Sequence, residues 1–129
     1  MNWIVLVALL ALLQQLWFGI LVGRARGRYG VKAPAVTGHE IFERYYRVQM
    51  NTLELLVVFV PALYLAALYV RPLWPALLGA LYLIGRVLYA RGYIADPAKR
   101  ELGYALSWLP IMALLLLALV GTILHLARG

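Results

Sequence analysis

The sequence predicts an all-α integral membrane protein, a four-helix bundle, and three observations predict it. Of the 129 residues, 65% are hydrophobic, where a soluble domain carries about 45–50% apolar residues. The mean hydropathy is +0.86. The apolar residues fall into runs of about 20, the length that crosses a bilayer. A single domain covers residues 1–129, with helices expected at about 3–24, 38–70, 75–92 and 97–127.

The first run, Trp3 to Gly23, reads as a transmembrane helix. It is too long for the apolar part of a signal peptide. No Lys or Arg precedes it and no small-residue cleavage site follows. Gln14 and Gln15 interrupt it, and at least one amide should face protein, because an unpaired amide in hydrocarbon is costly. Gly19 and Gly23 have the spacing that lets helices approach closely. Residues 24–38, RARGRYGVKAPAVTG, hold four positive charges, three glycines and a proline. This is a loop at a membrane surface. Thr37 is the expected N-cap of the next helix, with Glu40 at the capping-box position.

The second helix is the organising element. It opens charged, at FERYYRVQMNTLE, and turns apolar without a break. Glu40–Arg44 and Glu43–Arg47 are i,i+4 pairs in the favourable order. Arg47, Asn51 and Glu54 follow spacings of four and three, which stacks them on one face. A carboxylate inside a membrane-depth helix costs about 2.5–3.5 kcal/mol or more, so Glu54 should have local compensation from Arg47 and Asn51. Pro61 removes one backbone donor and should kink the helix. RPLWP, residues 71–75, is a tight turn. The third helix ends in GRVLYARGY, where Arg86, Tyr89 and Tyr93 again share a face. Asp96-Pro97 opens a turn before the fourth helix, which carries Pro110 as a second kink.

Charge sets the orientation. Residues 24–47 hold six Lys or Arg and residues 86–100 hold four, against single arginines at 71 and 128. The positive-inside rule places loops one and three in the cytoplasm. The net charge of +7 lies beside apolar spans, so anionic headgroups or an anionic substrate are expected rather than nucleic acid. With no cysteine and two distant histidines, no metal is expected.

Arg26, Arg47, Gln49, Asn51, Glu54, Arg86, Tyr89, Tyr93 and Arg100 collect at this membrane face. Arginines bind carboxylates bidentately and Glu54 can bind an ammonium, so the set suits a small zwitterion with several carboxylates. Plainer roles are open to each residue alone. Arg47 and Glu54 can neutralise one another through Asn51. Tyr89 and Tyr93 can be interfacial aromatics, and Arg86 and Arg100 can be snorkelling charges.

These residues resemble the signature of the MAPEG family, the membrane-associated proteins in eicosanoid and glutathione metabolism. The resemblance rests on Glu43-Arg44, then Arg47, Gln49, Asn51 and Glu54. It extends to GRVLYARGY, to the loop-one ARGRYGVKAP and to the four-helix outline. It implies a homotrimer with glutathione between neighbouring subunits, near the cytoplasmic face. Arg26, Arg47, Gln49, Asn51 and Glu54 would hold the peptide's carboxylates and amine. Arg86, Tyr89 and Tyr93 would contribute from the adjoining subunit. Arg100 would stabilise the thiolate, with Tyr89 beside it as the second catalytic residue. A cation near a thiol lowers its pKa and raises the reactive fraction. Some members carry a second arginine where this chain has Gly27, and an aromatic where it has Leu55.

The expected function is a membrane-bound glutathione transferase, with peroxidase activity as a variant. Its partners would be glutathione or another small thiol as co-substrate, a lipophilic electrophile, and membrane lipid. Its location would be a bacterial inner membrane. One alternative is a non-catalytic lipid-binding scaffold of the same fold. Another is a proton-coupled transporter that uses Glu54.

Overall fold

The computed structural model describes residues 1–129. Four helices account for most of them: α1 Asn2–Tyr29, α2 Glu40–Ala67, α3 Leu73–Ala95 and α4 Glu101–Arg128, the last preceded by a 3-10 turn, Pro97–Arg100. All four are long and apolar enough to cross a membrane.

The boundaries depart from the sequence expectation where local chemistry decides them. Helix α1 runs to Tyr29 because Gly30 takes the left-handed conformation, φ 70°, and its N–H closes on the Arg26 carbonyl. Gly is the residue that adopts this cap without strain. Arg26 and Arg28 lie in that last turn, where positive charge complements the helix dipole. Loop one is therefore shorter than the charge pattern implied. The cap of α2 is His39 rather than Thr37: its Nδ1 accepts from the Ile41 N–H at 3.2 Å, and its ring stacks on Tyr29 with centroids 4.1 Å apart. Asp96 acts as expected, its side chain accepting from the Ala98 N–H at 3.1 Å with Pro97 following. Helices α2 and α4 run on as helix through Pro61 and Pro110.

Helix α2 packs against each of the other three, and α3 and α4 form the closest pair. Two glycines make that closeness possible. A Cβ at Gly85 would lie 2.6 Å from the Leu106 carbonyl carbon, and one at Gly103 would overlap the Tyr89 backbone. Gly103→Val is accordingly expected to force α3 from α4 and cost about 1–3 kcal/mol of overpacking. A lowered melting temperature in detergent checks this.

The main core lies in the half of the bundle away from loops one and three. Ile4, Ala11, Phe59, Leu63, Tyr82 and Leu114 are fully or almost fully buried there. The Phe59 and Tyr82 rings stack with centroids 3.8 Å apart. Both glutamines of α1 turn inward, beyond the minimum the sequence required. Gln14 donates to the Leu83 carbonyl at 3.0 Å and Gln15 to the Gln49 carbonyl at 3.2 Å. These bonds tie α1 to α3 and α2 at the level where the polar half of the bundle begins.

Candidate functional site

The polar half is built around Arg86. This arginine is 0% exposed, yet its head carries three hydrogen bonds. Nε donates to Ser107 Oγ at 2.8 Å, and Nη1 donates to Asn51 Oδ1 at 2.7 Å and to Thr52 Oγ1 at 3.3 Å. Its Cζ lies 4.4 Å from the centre of the Tyr89 ring, at cation–π distance. The Ser107 hydroxyl in turn donates to the Gly103 carbonyl at 2.6 Å. One guanidinium thus joins α2, α3 and α4 at a single level. The close approach at Gly85 and Gly103 lets Arg86 reach Ser107.

Immediately above it, towards loop three, is a cavity of about 440 Å³ lined by Arg47, Asn51, Tyr89, Tyr93, Arg100 and Tyr104. Five of these six were picked out from the sequence. Tyr89 and Tyr93 stack with centroids 5.5 Å apart, and Tyr104 tilts against Tyr89 at 6.2 Å. Two arginines and three phenols therefore surround one volume, and no carboxylate lines it. Such a cavity selects an anion with hydrogen-bond acceptors at more than one point.

Arg44 supports this wall. Its Nη1 donates to the Ile94 and Ala95 carbonyls at 2.9 and 3.2 Å. These are orphan acceptors at the end of α3, so the bonds fix the α3 terminus against α2. Nη2 pairs with Glu40 at 2.7 Å, as the i,i+4 spacing predicted.

Several expectations are corrected. Tyr89 and Tyr93 do not need a neighbouring subunit to meet Arg47 and Asn51, because α3 packs directly on α2 and brings them together in one chain. Arg86 is sealed behind Tyr89 and Asn51 and has no open path to a ligand. Asn51, 8% exposed, is turned to Arg86 and does not bridge Arg47 and Glu54. Glu54 is not buried. Its side chain is 56% exposed and Arg47's 52%, with Arg47 Nη1 3.5 Å from Glu54 Oε1. The reason is that Glu54 lies on a stripe of α2, with Val57, Val58 and Leu65, that no other helix of the chain covers. Arg47 turns along the helix to Glu54 and makes no ion pair with Glu43.

Arg26 and Gln49 lie away from the cavity. Arg26 donates to the Ala35 carbonyl at 2.6 Å and stands 4.9 Å over the Phe42 ring. Gln49 faces α1 beside Gly19, where an added Cβ would come within 3.1 Å of its Nε2. Tyr104, Thr52 and Ser107 were missed. Tyr104 and Ser107 follow Arg100 by four and seven residues, so helical spacing alone puts them on its face.

Comparison with known proteins narrows what this arrangement belongs to. The sequence matches the model of the MAPEG family over residues 4–120. The chain is a member of the MAPEG family. It is an integral membrane protein, and its relatives within MAPEG include glutathione-using enzymes. It is 42% identical to the microsomal glutathione S-transferase 2 of Homo sapiens over 111 residues, 86% of this chain and 75% of the relative. It is 36% identical to the leukotriene C4 synthase of Cavia porcellus, over 92% of this chain and 79% of the relative. An uncharacterised protein of Synechocystis sp. is 48% identical over 126 residues, 98% of this chain and 92% of that one.

Proposed function

We propose that this MAPEG protein is a membrane-bound glutathione transferase whose reaction site is the cavity between α2, α3 and α4. The observation that carries the reading is the meeting of Arg47 and Arg100 with Tyr89, Tyr93 and Tyr104 around one volume with no carboxylate in its lining. Arg47 and Asn51 hold a carboxylate of the tripeptide, and Glu54 takes its ammonium. Arg100 faces the thiol and stabilises the thiolate, and the Tyr89 hydroxyl donates a hydrogen bond at the same place. The thiol proton leaves to water. The sulfur then attacks an electrophilic carbon of a lipophile, the S–C bond forms, and the leaving group departs with the bonding pair. A hydroperoxide is an alternative electrophile. There the thiolate sulfur attacks the terminal oxygen, the O–O bond breaks and the alcohol leaves with a proton from water, and a second thiol then attacks the sulfenic sulfur to give the disulfide and release water.

The same reading assigns the oligomer. A half-exposed glutamate and arginine on the outside of a membrane helix are costly to leave in lipid. A neighbouring subunit covers them in a homotrimer and brings Arg26 and Gln49 towards the ligand. Loops one and three face the cytoplasm of a bacterial inner membrane, so glutathione or another small thiol enters from the cytoplasm and the electrophile from the bilayer. A proton carrier built on Glu54 gains no support from the cavity, whose lining holds no carboxylate.

Purified protein in detergent should conjugate glutathione to a generic aromatic halide with a saturable dependence on the thiol. Glu54→Gln is expected to raise the KM for glutathione about tenfold through the lost charged contact, with a smaller change in kcat. No saturable conjugation with any low-molecular-weight thiol would overturn the transferase reading and leave the lipid-binding scaffold.

A further inference from the structure

A second cavity lies on the opposite side of α3. It is an apolar cleft of about 500 Å³ between α1 and α3, walled by Trp17, Phe18, Leu21, Val87, Ala90 and Ile94. Tyr45 of α2 forms its back and Gln14 its deep end. Leu21 and Tyr45 also line a neighbouring hollow of about 200 Å³, which continues along α1 to Arg24 and Arg28. The two volumes form one feature, an apolar slot that opens at the loop-one end among basic side chains.

The charge at that end is one-sided. Arg24, Arg28 and Arg91 border the slot, and none has a carboxylate partner. Arg24 folds over Trp17, with Cζ 5.6 Å from the ring centre, and Arg28 lies 5.5 Å from the Tyr29 ring. Arg91 is exposed at the rim. The nearby acids, Glu40 and Glu43, open on a separate hollow beside Pro97. A row of unpaired arginines at the end of a membrane helix attracts anionic headgroups. The apolar slot below it is aligned with the bilayer, since Gln14 lies ten residues, about 15 Å, down α1 from Arg24.

We propose that this slot is a binding site for one anionic phospholipid of the surrounding bilayer. The phosphate lies among Arg24, Arg28 and Arg91, and one acyl chain lies along Leu21, Phe18 and Ala90 towards Gln14. Charge complementarity fixes the headgroup: a zwitterionic lipid brings its own ammonium to the same arginines and loses the advantage. The site faces away from the reaction cavity. On α1 the residues at 17, 21, 24 and 28 lie opposite those at 19, 23 and 26, so the slot stays open to lipid in the homotrimer described above. On α3, Tyr89 and Tyr93 face one cavity while Ala90, Arg91 and Ile94 face the other. The bound lipid therefore braces the helix that carries the two tyrosines.

The test uses Trp17 as reporter. Trp3, Trp74 and Trp108 are exposed and are replaced by Phe in the full chain. This protein is reconstituted in phosphatidylcholine vesicles that contain a minor fraction of brominated phosphatidylglycerol or brominated phosphatidylcholine. Bromine on an acyl chain quenches tryptophan on contact. Brominated phosphatidylglycerol should quench several-fold more effectively, and Arg24→Gln with Arg91→Gln should abolish that preference. Ala90→Phe fills the slot and should reduce quenching by either lipid. Lys32→Gln removes a loop-one charge away from the slot and should leave the preference intact. Equal quenching by the two lipids in the starting protein would overturn the proposal. So would a preference that survives the double substitution, or one that Lys32→Gln lowers as much.

Discussion

Replacing Arg100 by methionine is expected to lower glutathione conjugation by about two orders of magnitude, with much less effect on the affinity for the tripeptide. The residue lines the reaction cavity with Tyr89 and Tyr104 and lies in the turn just before α4. On the proposed reaction, a cation at that place would act on the charge that develops at sulfur. Removing one preorganised donor to a developing anion costs about 10²–10³ in rate. A free thiol of this type has a pKa of about 8.5, so at neutral pH only a minor fraction is thiolate without the cation. The variant should recover part of the lost rate as pH rises, because hydroxide then does what Arg100 did. A methionine variant whose rate and pH profile match those of the starting protein would remove Arg100 from the reaction.

The second large effect is an asymmetry between two partners in one hydrogen bond. Asn51→Leu should destabilise the protein by about 3 kcal/mol, whereas Arg86→Met should cost far less stability and still abolish tight glutathione binding. Asn51 Oδ1 is the closest acceptor to the Arg86 head, at 2.7 Å. Without it a fully buried guanidinium keeps only Thr52 and Ser107, and an undersatisfied buried charge is costly. Methionine at 86 removes the charge along with its need for partners, and its length fills much of the space. What it forfeits is the fixed position of Asn51 and the positive field behind Tyr89. Thermal unfolding of both variants in detergent, with calorimetric titration of glutathione, separates the two outcomes. If Arg86→Met unfolds as readily as Asn51→Leu, the network is a structural brace and its link to the ligand is lost.

Much of this was legible in the residue order, and what was hidden follows a physical rule. The four spans follow from apolar length, and the site from charged residues interrupting it. Spacing alone also separates Gln49 from its motif neighbours, since two residues from Arg47 is about 200° around a helix. It therefore faces α1 and lies beside Gly19. Spacing would equally have added Tyr104 and Ser107 to the face of Arg100. The depth of Arg86 could not be read this way. Tyr89, Tyr93 and Arg86 share a face of α3, and the contact of α3 with α4 at Gly85 and Gly103, with Tyr89 and Asn51 in front, buries Arg86 while the two tyrosines line the cavity. The exposure of Glu54 was hidden for the opposite reason. Sequence marks a carboxylate at membrane depth, but whether it is covered depends on whether a neighbouring helix belongs to the same chain.

On the proposed function, the cavity between α2, α3 and α4 ionises a thiol. Ultraviolet difference absorbance of detergent-purified protein mixed with glutathione at neutral pH tests it most directly. A thiolate band that saturates with glutathione, and is lost in the Arg100→Met variant while the tripeptide still binds, is the predicted result. Saturable glutathione binding with no thiolate band, or a band of equal size in the variant, would contradict it.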